Sequence, residues 1–297
     1  MTTVRPVDRL SAAEAAEVLA LASAAEQADG VYPLSEDVVL RVRGGGAPTA
    51  HTHFLAYAGE RLAGYAYLEA YLERDGSGEL FVHPSARRHG HGTALLTAVG
   101  QGPLRFWAHG DEPGARAFAE KNGFERVRVL WQMRRSLTEP LPEIPLPPGI
   151  TLRSFRPGHD EQAWLGVNAR AFAHHPEQGR WTLDDLLLRE GEPWFDPAGF
   201  LLAVDGDDTP AGFHWTKVHP ASGADPAIGE IYVLGVDPAG HRRGLGAALS
   251  VAGLSHLAKQ GLTVSNLYVD ESNTAAVALY QRLGFAIYKT DINYFRP

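Results

Sequence analysis

The chain of 297 residues is long for one hydrophobic core and comfortable for two domains of about 150 residues each. It is 44% hydrophobic and 21% charged with a formal charge of −8, so it has no basic surplus with which to hold nucleic acid. It has no cysteine, which removes disulfides, thiolate metal sites and a thiol nucleophile together, and no apolar run approaches the ~20 residues of a membrane span. The start, Met1 to Arg5, lacks the apolar centre of a signal peptide, and a cytoplasmic protein is the expectation.

Ser11 to Asp29 is rich in Ala, Glu and Leu and predicts a helix, with Ser11 as N-cap and Glu14 closing a capping box. Phe54–Tyr57 and Leu62–Leu68 bracket Ala58-Gly59-Glu60-Arg61, a hairpin signature. A strand at 79–83, a helix over about 91–100, a strand near 104–107, a helix through 114–122 and a strand near 126–134 follow. Thr138 to Gly149 is proline-rich; because proline fixes φ and removes a donor, this segment reads as an extended linker between domains 1–137 and 150–297. Beyond it the order repeats: a strand at 152–155, a helix at 160–171, a hairpin pair at 200–204 and 211–218, a strand at 230–236, a helix at 245–260, a strand at 266–269, a helix at 273–283 and a strand near 286–294. Hairpins first and strand–helix alternation later give a mixed α/β sheet in each domain.

The repeat carries a motif. Leu80-Phe81-Val82-His83-Pro84 leads to Arg87-Arg88-His89-Gly90-His91-Gly92, and Leu234-Gly235-Val236-Asp237-Pro238 leads to His241-Arg242-Arg243-Gly244-Leu245-Gly246. Each opens a helix, and each half closes on Gly-Phe, at 123–124 and 284–285. A basic, glycine-rich turn from strand to helix leaves backbone N–H groups open at a helix N-terminus, where a pyrophosphate can sit. The third glycine and the later acidic residue of a dinucleotide fold are missing from both copies. Neither His51-Thr52-His53 nor His174-His175 has the spacing of a metal site; these read as surface or turn residues, and no metal is expected.

With Asn273-Thr274-Ala275-Ala276-Val277-Ala278-Leu279-Tyr280 and Gly284-Phe285 after the second turn, the pattern resembles the GNAT superfamily of acetyl-CoA-dependent N-acetyltransferases. His241 stands where that family usually has Gln or Arg. The segments 106–110, 172–179 and 212–220 resemble a tandem-domain branch whose acceptor is the amine of a small aminoacyl-sugar. The resemblance covers nearly the whole chain and implies two tandem GNAT acyl-CoA N-acyltransferase domains with acetyl-CoA as donor. It implies cofactor contacts from Leu80, Phe81, Val82, Arg88, His89, Gly90, His91, Gly92 and Thr93 in the first half. In the second half the corresponding residues are Leu234, Gly235, Val236, His241, Arg242, Arg243, Gly244, Leu245, Gly246 and Ala247, with Asn273, Thr274, Ala275, Ala276, Val277 and Ala278. Acceptor contacts are implied from Glu36, Glu177, Lys217, Glu230 and Tyr268. By residue type alone, Glu36 is the neighbour of a helix N-cap at Ser35.

An ammonium must lose a proton before it attacks a thioester, and the departing thiolate benefits from a donor. Glu230 is assigned as general base and Tyr280 as general acid, with backbone N–H groups around 234–236 polarising the carbonyl. Aligning the halves on Val-x-Pro pairs Gly90 with Gly244, Glu79 with Val233, Glu230 with Gly76, and places Tyr280 near Phe118. A three-residue offset would put Glu79 and Glu230 on opposite faces of their strands. The first domain therefore reads as non-catalytic, retaining a turn that can hold acetyl-CoA. A monomer without nucleic-acid or membrane partners is expected. Two alternatives stay open: a GNAT enzyme acting on another small amine, and a non-catalytic acyl-CoA-binding sensor.

Overall fold

A computed structural model describes residues 2–44, 50–69, 76–174, 178–221, 225–240 and 244–297. The elements of the first half are β1 (Thr2–Val7), α1 (Ala12–Asp29), α2 (Glu36–Val42), β2 (His51–Ala58), β3 (Arg61–Glu69), β4 (Gly76–Val82), α3 (His91–Val99), β5 (Leu104–Ala108), α4 (Pro113–Lys121) and β6 (Glu125–Ser136). Those of the second are β7 (Thr151–Ser154), α5 (Glu161–Ala171), α6 (Leu183–Glu190), β8 (Phe200–Val204), β9 (Pro210–His219), β10 (Ile228–Val236), α7 (Leu245–Lys259), β11 (Val264–Asp270), α8 (Thr274–Arg282) and β12 (Ala286–Arg296). The predicted helices and hairpins are present within a few residues. β1, α2 and α6 are additional to them. Among the described residues no helix is long and apolar enough to cross a membrane.

The chain forms two compact units, Met1–Leu130 with Lys289–Pro297, and Trp131–Tyr288. These limits differ from a division at the proline-rich linker. In the first unit the strands run β1-β2-β3-β4-β5-β12, the last joined through the antiparallel pairs Ile292↔Ala108 to Arg296↔Leu104. In the second they run β7-β8-β9-β10-β11-β6. The closing strand of each half is thus used by the other unit, a pairing that hydrophobic periodicity does not encode because it reports which face is buried and not against which strand. The linker is neither helix nor strand over 139–147, and its Leu141 and Ile144 pack on the core of the second unit.

Alternation along the strands supplies both cores. In the first unit Tyr65 and Tyr67 of β3 face α1 and α2, joining Val18, Leu21, Ala22, Val38 and Val42. Ala66 between them faces Leu95 of α3. The helix α1 begins as expected, with Ser11 accepting from the Glu14 N–H and the Glu14 carboxylate accepting from the Ser11 N–H, and ends on Gly30 at φ 71°. In the second unit Phe213 and Trp215 of β9 meet Trp164, Leu186 and Phe200 on one face. His214 turns to the other, where its Nδ1 lies 2.7 Å from the Leu249 carbonyl of α7. Burying a side chain the size of Leu186, which has no exposed surface, stabilises by roughly 1.5–3 kcal/mol.

The histidines at 51–53 depart from expectation. His53 is buried and bonded through Nδ1 to the Tyr65 hydroxyl at 2.7 Å. Burial, reinforced by His51, lowers its pKa to about 4, so it sits neutral in the core. His175 lies outside the described residues.

Candidate active site

The parallel ladder between β10 and β11 runs from Ile228↔Val264 to Ile231↔Leu267 and stops. β10 itself continues to Val236, still paired with β9 through Leu234↔His214, Gly235↔Phe213 and Val236↔Gly212. Past Ile231 the β11-facing edge of β10 therefore has no ladder partner among the described residues, and its peptide groups remain for a ligand. A bulge marks the place. Ile231 opposes Thr216 while Val233 opposes Trp215, so Tyr232 is an extra residue that bends the strand away.

After β10 the chain enters α7 through Gly244, which has φ +91° and gives the helix no side-chain cap. That conformation suits glycine, and a helix N-terminus left without a side-chain oxygen presents its N–H groups outward. The same arrangement recurs in the first unit, where Gly90 has φ +86° and α3 also lacks a side-chain cap. There β4 pairs with β5 from Gly76↔Leu104 to Glu79↔Trp107 and then runs on to Val82 beyond that ladder, with no further partner on that side among the described residues. Both units thus place a glycine turn into an uncapped helix after a strand whose parallel ladder ends early.

The residues implied as cofactor contacts divide by what their side chains do. Gly246 is open, with only Val236 near a Cβ built there. Gly235 is required instead by packing, since a Cβ would stand 2.8 Å from the Phe213 ring; only its backbone is available to a ligand. His91 turns inward to Thr2 Oγ1 at 2.9 Å, and Leu245 is fully buried, so neither offers a side chain. Asn273 is the N-cap of α8, its side chain accepting from the Ala276 N–H at 3.2 Å. His241, Arg242, Arg243 and Glu177 lie outside the described residues.

Glu230 sits in the paired part of β10, opposite Lys217 of β9 and Asn266 of β11. Directly opposite residues share a face, and Tyr268 lies two residues beyond Asn266, so Lys217, Glu230 and Tyr268 converge on one face of the sheet. Glu230 is 6% exposed, and its Oε2 is 2.5 Å from His219 Nε2. Lys217 is buried, its ammonium 4.3 Å from the Trp194 ring centroid and 5.0 Å from that of Tyr232. Tyr268 is 46% exposed, and its hydroxyl accepts from Gln132 at 3.2 Å. Glu36 belongs to the first unit as the first residue of α2, following the N-cap Ser35.

Tyr280 approaches from the opposite face. It packs in one cluster with Ile231 and Leu267, the last rung of the parallel ladder, and with Phe285 at a centroid distance of 5.8 Å. Burial pushes its hydroxyl up to about 12, so it keeps its proton through the neutral range. Carboxylate and phenol therefore flank the opening between β10 and β11 from its two sides.

Among the described residues the first unit has other side chains at the positions of this pair, for reasons partly different from those the alignment suggested. β4 has no bulge, and Gly64↔Val82 to Glu69↔Ser77 pair without interruption. The extra Tyr232 shifts the register by one, so Glu230 corresponds to Ser77 and not to Gly76. Glu79 and Glu230 are then two rungs apart and face the same way, which overturns the opposite-face argument. The counterpart of Tyr280 is Ala119, because Phe124 N–H bonds the Ala119 carbonyl as Phe285 N–H bonds that of Tyr280. Glu79 is committed elsewhere. It accepts from the Ser35 N–H at 2.9 Å and lies 3.4 Å from His109, whose other ring nitrogen is 3.3 Å from Asp291.

Comparison with known proteins agrees with this geometry. Residues 166–285 match the acetyltransferase (GNAT) family and residues 49–126 a GNAT acetyltransferase domain. The chain is 57% identical over 298 residues to a mycothiol acetyltransferase of Salinispora arenicola, covering 99% of this chain and 96% of that protein. It is 55% identical to the mycothiol acetyltransferase of Thermobispora bispora, covering 99% and 100%. The chain belongs to the mycothiol acetyltransferase family. It is a GNAT N-acetyltransferase built as a tandem repeat. A solved tandem GNAT protein from the clavulanic acid biosynthesis pathway, 19% identical, superposes with a TM-score of 0.77 over 99% of this chain and 98% of that one, a likeness of fold. The tandem organisation of this chain is thus legible from the doubled glycine turn onward. The bulge at Tyr232, the His219 contact and the His109 cluster were not, since each depends on register or on strands distant in sequence.

Proposed function

We propose that this chain transfers acetyl from acetyl-CoA to the cysteinyl amine of cysteinyl-glucosaminyl-inositol, the last step of mycothiol formation, in its second unit. The observation that carries the reading is the opening of β10 from β11 after Ile231, with Glu230 on one face and Tyr280 in the cluster on the other. Glu230 takes the proton of the acceptor ammonium, and the free amine attacks the thioester carbonyl. Unpaired N–H groups within 234–236 stabilise the oxygen as charge develops there. The C–N bond forms, the C–S bond breaks, Tyr280 supplies the proton that the CoA thiolate takes up, and the second proton shed by the attacking nitrogen as it becomes the amide returns Tyr280 to the phenol. Lys217 and Tyr268, on the face of the sheet that carries Glu230, are the acceptor contacts. The α7 N-terminus with Gly244 and Gly246 holds the pyrophosphate, and the first unit holds acetyl-CoA at α3 without turning it over. The protein acts in the cytoplasm as a monomer.

The test is acetyl transfer to cysteinyl-glucosaminyl-inositol, with mass spectrometry locating the acetyl group. Acetyl on the cysteinyl nitrogen, lost by ~10²–10⁴-fold in kcat in Glu230→Gln and Tyr280→Phe with acetyl-CoA binding kept, is the expected result. Transfer only to another amine moves the assignment to that acceptor. No transfer to any amine leaves an acyl-CoA sensor.

A further inference from the structure

His219 ends β9, and its Nε2 stands 2.5 Å from Glu230 Oε2. The two groups differ sharply in access to water: the Glu230 side chain is 7% exposed and the imidazole 40%. Acetylation of an ammonium by a thioester yields amide, thiol and one proton, so each turnover must discharge one proton from the site to solvent. A buried carboxylate that receives it needs an exit before the next cycle.

We propose that His219 is that exit, taking the proton from Glu230 at Nε2 and releasing it to water from its exposed ring. The step rests on Glu230 being the base. In it the ammonium N–H bond breaks and a Glu230 O–H bond forms. Neutral His219 then accepts that proton, Glu230 returns to carboxylate, and the imidazolium gives a proton to bulk water. No other reactant is consumed. His219 acts through Glu230, so it is a positioning residue that also fixes which carboxylate oxygen faces the amine.

The groups around Glu230 leave this route open. Lys217 lies opposite on β9 with its ammonium over Trp194 and Tyr232, and an ammonium donates without accepting. From β11, Asn266 is an amide and Tyr268 is engaged by Gln132 of β6. Arg134 of β6 forms a two-pronged pair with Asp225 at 2.8 and 3.0 Å, and Arg189 of α6 donates to the Tyr232 hydroxyl at 2.8 Å. Histidine, with two ring nitrogens, can accept on one side and donate on the other.

The experiment uses the full chain with acetyl-CoA and the acceptor, comparing His219→Ala, His219→Gln and Glu230→Gln between pH 6 and 9. For His219→Ala we expect kcat to fall ~10–100-fold at neutral pH with KM for acetyl-CoA unchanged, less than the loss for removing the base itself. Added imidazole should restore activity to His219→Ala and leave Glu230→Gln inactive. His219→Gln, which keeps a hydrogen bond to the carboxylate but cannot relay, should stay impaired. Full activity of His219→Gln, or loss in His219→Ala that imidazole does not rescue in a folded protein, overturns the relay. Full activity of Glu230→Gln overturns the base assignment instead, so the two failures are distinct.

Discussion

The buried cluster of His109, Glu79 and Asp291 makes a strong prediction about the first unit. Glu79 and Asp291 are 3% and 7% exposed, and His109 stands 3.4 and 3.3 Å from them. Burial opposes a charge on the imidazole, but the close carboxylates of Asp291 and Glu79 outweigh it and raise its pKa to about 10. His109→Leu leaves two carboxylates facing an apolar side chain, each still held by one N–H, from Ser35 and Gly110. Removing one partner of a buried ion pair costs about 3–5 kcal/mol. For a unit of this size that lowers the melting temperature by roughly 6–20 °C, measurable by calorimetry at pH 7. The sign with pH is fixed. Because the folded pKa lies above the ordinary 6.5, the contribution is complete below about pH 6.5 and is lost as pH rises through about 10. The variant and the parent should therefore converge above that pH. A fall of less than 2 °C at pH 7, or a gap that does not narrow by pH 10.5, would refute the reasoning.

Three further outcomes are expected. A Cβ at Gly253 of α7 would lie 2.1 Å from the His214 ring, which the Leu249 carbonyl holds in place, so Gly253→Ala should cost ~1–3 kcal/mol or more in urea unfolding; an unchanged midpoint would mean the ring can turn aside. Burial, aided by the Glu161 charge, raises Glu190 to about 7 from its ordinary 4.5, so its stability contribution is present below pH 4.5 and lost as pH rises through 7. Glu190→Gln should then stabilise by ~1–2 kcal/mol at pH 8, allowing for partial exposure, and by nothing near pH 4; equal effects at both would sink the assignment. Fragments cut at the proline-rich linker, 1–137 and 150–297, should each be poorly soluble and recover structure only when mixed, as circular dichroism would show. A well-folded 150–297 fragment would contradict the use of β6 by the second unit.

Much of this molecule can be read along the chain because its signals are local. The Ser11 and Glu14 capping box, the two hairpins and the two glycine turns each need only a few adjacent residues. α6 carries a comparable sign, Thr182 with Asp185 three residues on, but apart from Leu183 its apolar residues form one short run, Leu186–Leu188, that shows little helical period. Other features have no local sign. Tyr232 is neither glycine nor proline, so nothing in sequence marks it as the bulge that moves Glu230 one rung. His219 meets Glu230 only through the β9–β10 register, and His109 needs Asp291 from a strand 182 residues later. Candidate site residues were recognisable by type and family pattern; what each side chain is bonded to was not.

The exchange of closing strands has a consequence for how the protein is made. The first unit needs β12, whose pairing residues Ile292–Arg296 leave the ribosome long after the rest of that unit. At roughly 5–20 residues per second, ~160 residues after Leu130 take about 8–30 s to synthesise, far longer than most small domains need to fold. Throughout that interval β5 offers an open edge beside Phe106 and Trp107, the kind of surface to which another nascent chain can pair. Chaperone occupancy should therefore fall on the first unit of a nascent chain stalled before β12, and lift only once β12 has emerged.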